Sequence, residues 1–404
     1  MVFTQYYLDC LSHASYLIGD DTTGRAVVVD PRRDIGEYLT DAEAAGLTIE
    51  LVILTHFHAD FLAGHLELAA ATGAAIAYGD AAEPEYDIRK LTDRERISLG
   101  AVTLEILTTP GHTPESISIV VYEHADDQVP YGVLTGDTLF IGDVGRPDLL
   151  ASVGVTAGEL AGQLHDSLHD KLLALPDVTR VFPAHGAGSA CGKNLSTETQ
   201  STIGEQRAMN YALAPMTRQE FIDVVTEGQP AAPGYFSYNA GLNKARRALL
   251  DETGDTPALS VDDVVAAQQD GAVVIDTRDG ADFAAGHLRG SVNVGLDGRF
   301  AEYVGTVVTP DRSVVLVTDP GTETAARVRL GRIGYDSVTG ALGNVYSVLI
   351  DNSDLVDRSS RLTAAELDRA IDTNDDLVLI DVRNPGETAL GTIDGALSIP
   401  LAQL

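Results

Sequence analysis

Cysteine is nearly absent from this 404-residue chain, and tryptophan is absent altogether: Cys10 and Cys191 are the two thiols. Two thiols cannot build a disulfide framework or a thiolate metal cage, so any metal here must be held by histidine and carboxylate. Positive charge is also scarce. The 27 Lys+Arg stand against 60 Asp+Glu, for a formal net charge of −33. A surface of that sign repels phosphate backbones and anionic lipid, which excludes nucleic acids and membrane surfaces as expected partners. No apolar run approaches the ~18 residues needed to span a bilayer. The opening MVFTQYYLDC has no basic stretch leading into an apolar one, so no secretory signal is expected and the cytoplasm is the default compartment.

What the chain does have is core material. Hydrophobic residues make up 44% and charged residues 22%, a balance that excludes wholesale disorder. At roughly 100–200 residues per domain the length fits two or three domains. Short β-rich runs at 14–18, 25–30 (RAVVVD) and 50–55 (ELVILT), with a helical stretch at 35–45, give an α/β pattern. Further strands are expected at 74–78, 102–108, 116–122 and 131–135, with helices after about 156 and 198.

The second half repeats itself. VVIDTR at 273–278 matches VLIDVR at 378–383, and GHLRGSVNV at 286–294 matches GTIDGALSI at 391–399 in the same register. One supersecondary unit is therefore used twice. Each copy is expected to open with a helix (261–268; 363–370) and to continue with an apolar strand ending in Asp-x-Arg. The acidic stretches 251–257 and 351–361 read as linkers. The expected domains are 1–250, 257–350 and 362–404, the last a truncated copy.

The chemistry concentrates in the first half. Thr55-His56-Phe57-His58-Ala59-Asp60 follows an apolar strand, where two imidazoles and a carboxylate can converge. His112 sits in TPGHTPES, where Pro110-Gly111 forces a turn. Asp137, in LTGDTLF, and His185, in VFPAHGAG, sit at two more strand exits. Four strand-to-loop exits each presenting a metal-ligand type are more than core packing requires. The basic Lys244–Arg247 reads as a helix C-terminal feature.

These motifs resemble the metallo-β-lactamase superfamily over roughly residues 1–245. The resemblance implies an αββα sandwich with the metal at one edge of two facing sheets, followed by α/β rhodanese-like domains. One position departs from the pattern, because Phe61 stands where binuclear hydrolases place a histidine. GDVGRPDL at 142–149 and HGAGSACG at 185–192 are similar to the persulfide dioxygenases fused to rhodanese domains. That family implies one Fe(II) per chain on His56, His112 and Asp137, with His58, Asp60 and His185 supporting these ligands. A two-histidine, one-carboxylate set leaves open positions for a persulfide sulfur and O₂. The implied reaction oxidises a low-molecular-weight thiol persulfide to thiol and sulfite, in a homo-oligomer (dimer or tetramer). The alternative is a zinc-dependent thioester hydrolase of the glyoxalase II type. Arg146 and Asp148 either hold the substrate's polar part or brace their own loop, and Cys191 is either a sulfur relay at the site's mouth or an inert buried thiol.

The repeats resemble rhodanese domains, whose nucleophilic cysteine follows a strand such as SVVLVT at 313–318. Here Asp319 takes that place, and a carboxylate cannot form a persulfide. The first copy is therefore expected to be catalytically silent, a scaffold or docking module, with Asp319 satisfying its loop's N–H groups as a helix cap does.

Overall fold

Period-two alternation of apolar residues builds the first sandwich. The computed structural model describes residues 1–149, 154–229 and 232–403. Leu404, at the end of the expected span 362–404, lies outside the described residues, as do 150–153 and 230–231 within 1–250. Two units are formed, Met1–Ala232 with Phe236–Leu250, and Pro233–Tyr235 with Asp251–Leu404.

In the first unit, Val2–Leu8 (β1), His13–Asp20 (β2), Arg25–Val29 (β3), Thr48–Ile53 (β4), Ala75–Gly79 (β5) and Arg89–Leu91 (β6) form one sheet in chain order. The first three strands pair antiparallel, and β3 to β6 pair parallel. Helices Gly36–Ala44 (α1) and His65–Thr72 (α2) supply the crossovers that parallel neighbours need. The second sheet runs Arg96–Ser98 (β7), Thr103–Thr108 (β8), Ile117–Tyr122 (β9), Gly132–Gly136 (β10), Arg180–Pro183 (β11) and Ser201–Thr202 (β12). Helix Ala157–Ser167 (α3) makes the parallel crossover from β10 to β11. Ile203–Met209 (α4), Arg218–Thr226 (α5) and Phe236–Lys244 (α6) complete the unit.

Alternation assigns each strand residue to a layer. Ile119, Val121 and Leu134 pack between the sheets against Ile18, Val27 and Ile53. Val120 and Val133 point the other way, onto Leu164 of α3 and Phe221 of α5. The result is the expected helix–sheet–sheet–helix sandwich.

The second unit is α/β. Its helices and strands follow as Val261–Gln269 (α7), Val273–Asp276 (β13), Gly280–Ala285 (α8), His287–Leu288 (β14), Val292–Asn293 (β15), Phe300–Val307 (α9), Val314–Val317 (β16), Glu323–Gly331 (α10), Val338–Leu342 (β17), Val345–Asp351 (α11) and Val356–Asp357 (β18). A parallel sheet of order β15-β13-β16-β17 forms its centre. The second copy of the repeat contributes Ala364–Thr373 (α12), Ile380–Asp381 (β19), Pro385–Thr388 (α13) and Leu397–Ser398 (β20). The internal repeat is geometric as well as sequential. Arg278 pairs with Asp276 and donates to the Gly286 carbonyl at 3.0 Å, while Arg383 pairs with Asp381 and donates to the Gly391 carbonyl at 2.9 Å.

Two expectations are corrected here. The supposed linkers belong to the fold: β18, inside 351–361, pairs antiparallel with β14. Within 251–257, the Pro257 carbonyl accepts from Ala341 N, and Arg327 donates to the carbonyls of Asp251 and Gly254. Asp319 does not cap its loop through its carboxylate. Its backbone carbonyl closes the turn, accepting from Thr322 N at 3.2 Å and Thr322 Oγ1 at 2.7 Å, while its side chain is exposed.

Candidate metal centre

The two sheets open onto one edge where β4, β10 and β11 end. His56, His58 and Asp60 lie on the loop after β4, Asp137 directly follows β10, His185 follows β11, and His112 lies on the loop joining β8 to β9. All six side chains are buried. His56, His112 and Asp137 each bring one donor atom within 4.8 Å of the others, and so do His58, Asp60 and His185.

Hydrogen bonds behind each imidazole decide which nitrogen keeps its lone pair. The Arg146 carbonyl can only accept, so His112 Nδ1–H donates to it at 2.9 Å and Nε2 is left unprotonated. Thr55 Oγ1 spends its hydrogen on Asp30 at 2.7 Å, so His56 Nδ1–H donates to Thr55 Oγ1 at 3.0 Å. His185 Nδ1–H donates to the Ser12 carbonyl at 3.2 Å, and His58 Nε2–H to Asp30 Oδ1 at 3.0 Å. The inward atoms are His56 Nε2, His58 Nδ1, His185 Nε2 and both oxygens of Asp137. They are buried with no hydrogen-bond partner among the described residues.

Distances and the lowered proton affinities of His56 and His112 agree with a cation beside Asp137, whereas Asp30 raises that of His58. Asp137 Oδ2 lies 3.4 Å from His112 Nε2 and 3.8 Å from His56 Nε2, separations that an ion about 2.1 Å from each donor can bridge. Burial raises the Asp137 carboxyl to about 6 and lowers His112 to about 4. Burial, reinforced by neighbouring His58 and His112, also holds His56 well below the usual imidazole range. Neutral imidazoles are the form that ligates a metal. The donor set therefore fits a metal ion, with His56, His112 and Asp137 as one group and His58, Asp60 and His185 as a second.

Phe61 fills the space beside the second group. Its ring is fully buried, with its centroid 4.0 Å from that of His13 and 4.4 Å from that of His58. Arg146 and Asp148 pair with each other within their own loop. Arg146 is 2% exposed, its Nε and Nη2 both donate to Asp148 at 2.7 Å, and its Nη1 donates to the Ala190 carbonyl. The Arg146 guanidinium thus holds its own loop, and its backbone carbonyl orients His112. Cys191 is 1% exposed, its Sγ grouped within 4.8 Å with donor atoms of Asp137 and His185, and burial pushes its thiol up.

Sequence reading missed Asp30. It sits in the left-handed region (φ 48°), sparsely populated by non-glycine residues. There it accepts from Thr55 N, Thr55 Oγ1 and His58 Nε2, which ties the motif loop to β3. Its signal was available, since Asp30 ends the strand RAVVVD just as Asp137 ends another.

The metallo-beta-lactamase superfamily model matches residues 8–185, and the rhodanese-like domain model matches 260–343. A metallo-beta-lactamase structure from Staphylococcus aureus subsp. aureus COL is 33% identical, with TM-score 0.76, over 85% of this chain and 98% of that one. This chain belongs to the metallo-beta-lactamase superfamily. Within the superfamily, the Bos taurus mitochondrial persulfide dioxygenase is 29% identical over 52% of this chain and 75% of its own length. A Cereibacter sphaeroides hydroxyacylglutathione hydrolase is 30% identical over 59% and 85% respectively. The chain spans about half the length of some other curated relatives it matches. No helix among the described residues is long and apolar enough to cross a membrane.

The superfamily site leaves little room behind Asp137. A Cβ at Gly145 would lie 1.9 Å from the Asp137 carbonyl oxygen and 3.2 Å from His112 Cβ. Gly145→Ala is therefore expected to displace both side chains and to weaken divalent-metal binding at least about tenfold. Chelator competition measures this, and wild-type affinity in the variant would contradict the packing argument.

Proposed function

We propose that the chain is an Fe(II)-dependent persulfide dioxygenase that binds one iron per chain through His56, His112 and Asp137. The observation that carries this reading is Phe61. An apolar ring beside His58, where a further imidazole would complete a second metal position, favours a single ion over the paired ions of a hydrolase. The likeness to a persulfide dioxygenase supports it, as does the rhodanese-like domain, a fold suited to sulfur anions.

The balanced reaction is R–S–SH + O₂ + H₂O giving R–SH and H₂SO₃, which ionises to sulfite. Iron bound there would supply the redox chemistry for using O₂, which zinc lacks. The protein's own share is positional. Thr55 and the Arg146 carbonyl hold His56 and His112 in the tautomer that presents Nε2, and Asp30 fixes the loop between them and the sheet. Burial of the whole set places the donors in a low-dielectric pocket, where each electrostatic interaction is stronger than in water. His58, Asp60 and His185 act as supporting groups, with Asp60 Oδ2 3.3 Å from His185 Nε2. Arg146 and Asp148 hold the loop beneath His112.

A second reading, a zinc thioester hydrolase, has one observation in its favour: His58, Asp60 and His185 are themselves grouped as metal donors. The likeness to a hydroxyacylglutathione hydrolase is consistent with it. An oxygen electrode separates the two. Fe(II)-loaded protein is expected to consume O₂ when given a glutathione persulfide and to release sulfite, whereas thioester hydrolysis without O₂ uptake would favour the hydrolase.

The rhodanese-like domain is proposed to be silent in sulfur transfer because Asp319 stands at the nucleophile position. Thiosulfate sulfurtransferase turnover is expected to be absent from the wild-type chain and to appear in Asp319→Cys if the loop keeps its anion-cradling shape. Turnover in the unmodified chain would mean that another residue carries sulfur.

A further inference from the structure

We infer that Asn243, on α6, is the positioning residue that sets the metal loop of the sandwich. The inference rests on the reading that His56, His112 and Asp137 hold a metal. Asn243 is distant in sequence from that loop and lies beyond the superfamily match, which ends at residue 185.

The loop between β4 and α2 has little secondary structure of its own to satisfy its backbone. Asn243 supplies the missing partners. Its Nδ2 donates to the carbonyls of His58 and Phe61, both at 2.8 Å, and its Oδ1 accepts from Ala63 N at 3.0 Å. Three backbone groups within six residues are thus gathered by one planar side chain, which is fully buried. Only an amide offers two N–H donors and an acceptor in that arrangement. A carboxylate of the same shape would turn an oxygen toward two carbonyl oxygens.

Asn243 is itself held. Tyr86 Oη donates to its carbonyl at 2.6 Å. One turn on, Arg247 Nη2 donates to the Ala63 carbonyl at 2.6 Å, and Arg247 pairs with Glu67 of α2. Lys244 places its ammonium 4.9 Å from the Phe57 ring centroid. The end of α6 therefore fastens the loop on which His56, His58 and Asp60 sit. His58 is gripped from both sides, its ring by Asp30 and its carbonyl by Asn243. Removing the amide frees the backbone at Phe61 and at His58, the latter two residues from His56, so the loss should register in ligand geometry as well as in stability.

The test is Co(II) binding by the full chain, followed by chelator competition and by the visible ligand-field spectrum, with thermal melting of the metal-free protein alongside. Asn243→Asp is expected to lose about 10- to 100-fold in Co(II) affinity, the range for residues that orient ligands from behind, and to shift the spectrum. Asn243→Ser, a milder change that keeps a hydroxyl, should fall between it and wild type; it also serves if the aspartate variant does not fold. Arg246→Ala, a change on the same segment as Asn243, removes the Nε donation to the Glu85 carbonyl, away from the loop, and should leave affinity unchanged. Asn243 variants that melt lower yet keep wild-type affinity and spectrum would reduce Asn243 to a purely structural role and overturn the inference. A wild-type chain that binds no Co(II) would overturn the metal reading itself.

Discussion

Two carboxylates, Asp60 and Asp137, are buried among imidazoles at one edge of the sandwich, and among the described residues neither pairs with a lysine or arginine. Taking a carboxylate out of water costs several kcal/mol even after relaxation. Burial, the largest cause, raises the Asp137 carboxyl to about 6. A cation bound at the inward nitrogens and oxygens offsets that cost, and much of the surrounding structure serves to aim them. Every histidine of the cluster spends its N–H outward, on Thr55, Asp30, Ser12 or the Arg146 carbonyl. What remains inward is lone pairs, the half of each imidazole that a metal uses.

The sheets explain why these donors can meet. Parallel pairing of β4 with its neighbours, and of β10 with β11, sends several strand exits to one edge, and period-two packing fixes the strands that carry them. The loops need separate anchors because they lack ladder hydrogen bonds. Asp30 anchors the motif loop to β3, Arg146 braces the loop beneath His112, and Asn243 closes the far side. Loop irregularity and site precision are compatible only because buried side chains replace the missing backbone partners.

Legibility in the sequence followed physical range. His56, His58, Asp60, His112, Asp137 and His185 were readable because each ligand type sits at the end of an apolar run, a local signal. Asp30 carried the same signal but lay outside the motif. Asn243 carried none, since its role depends on a contact made across the fold, from a helix that reads as ordinary. Arg146 is ambiguous in the sequence because an Arg–Asp pair looks alike whether it faces a substrate or its own loop. The acidic stretch 351–361 read as a linker because a two-residue strand paired with another two-residue strand leaves no periodicity to detect. The repeat, by contrast, was fully legible, and the same Asp–Arg–carbonyl bracket in both copies shows why its Asp-x-Arg recurs.

The proposed centre is one iron on two imidazoles and one carboxylate. Metal content and X-ray absorption of protein reconstituted without oxygen measure it. One iron per chain is expected, with a coordination shell fitted by two imidazole nitrogens and carboxylate oxygen, lost in Asp137→Ala. Two zinc ions per chain, with iron unable to displace them, would contradict it.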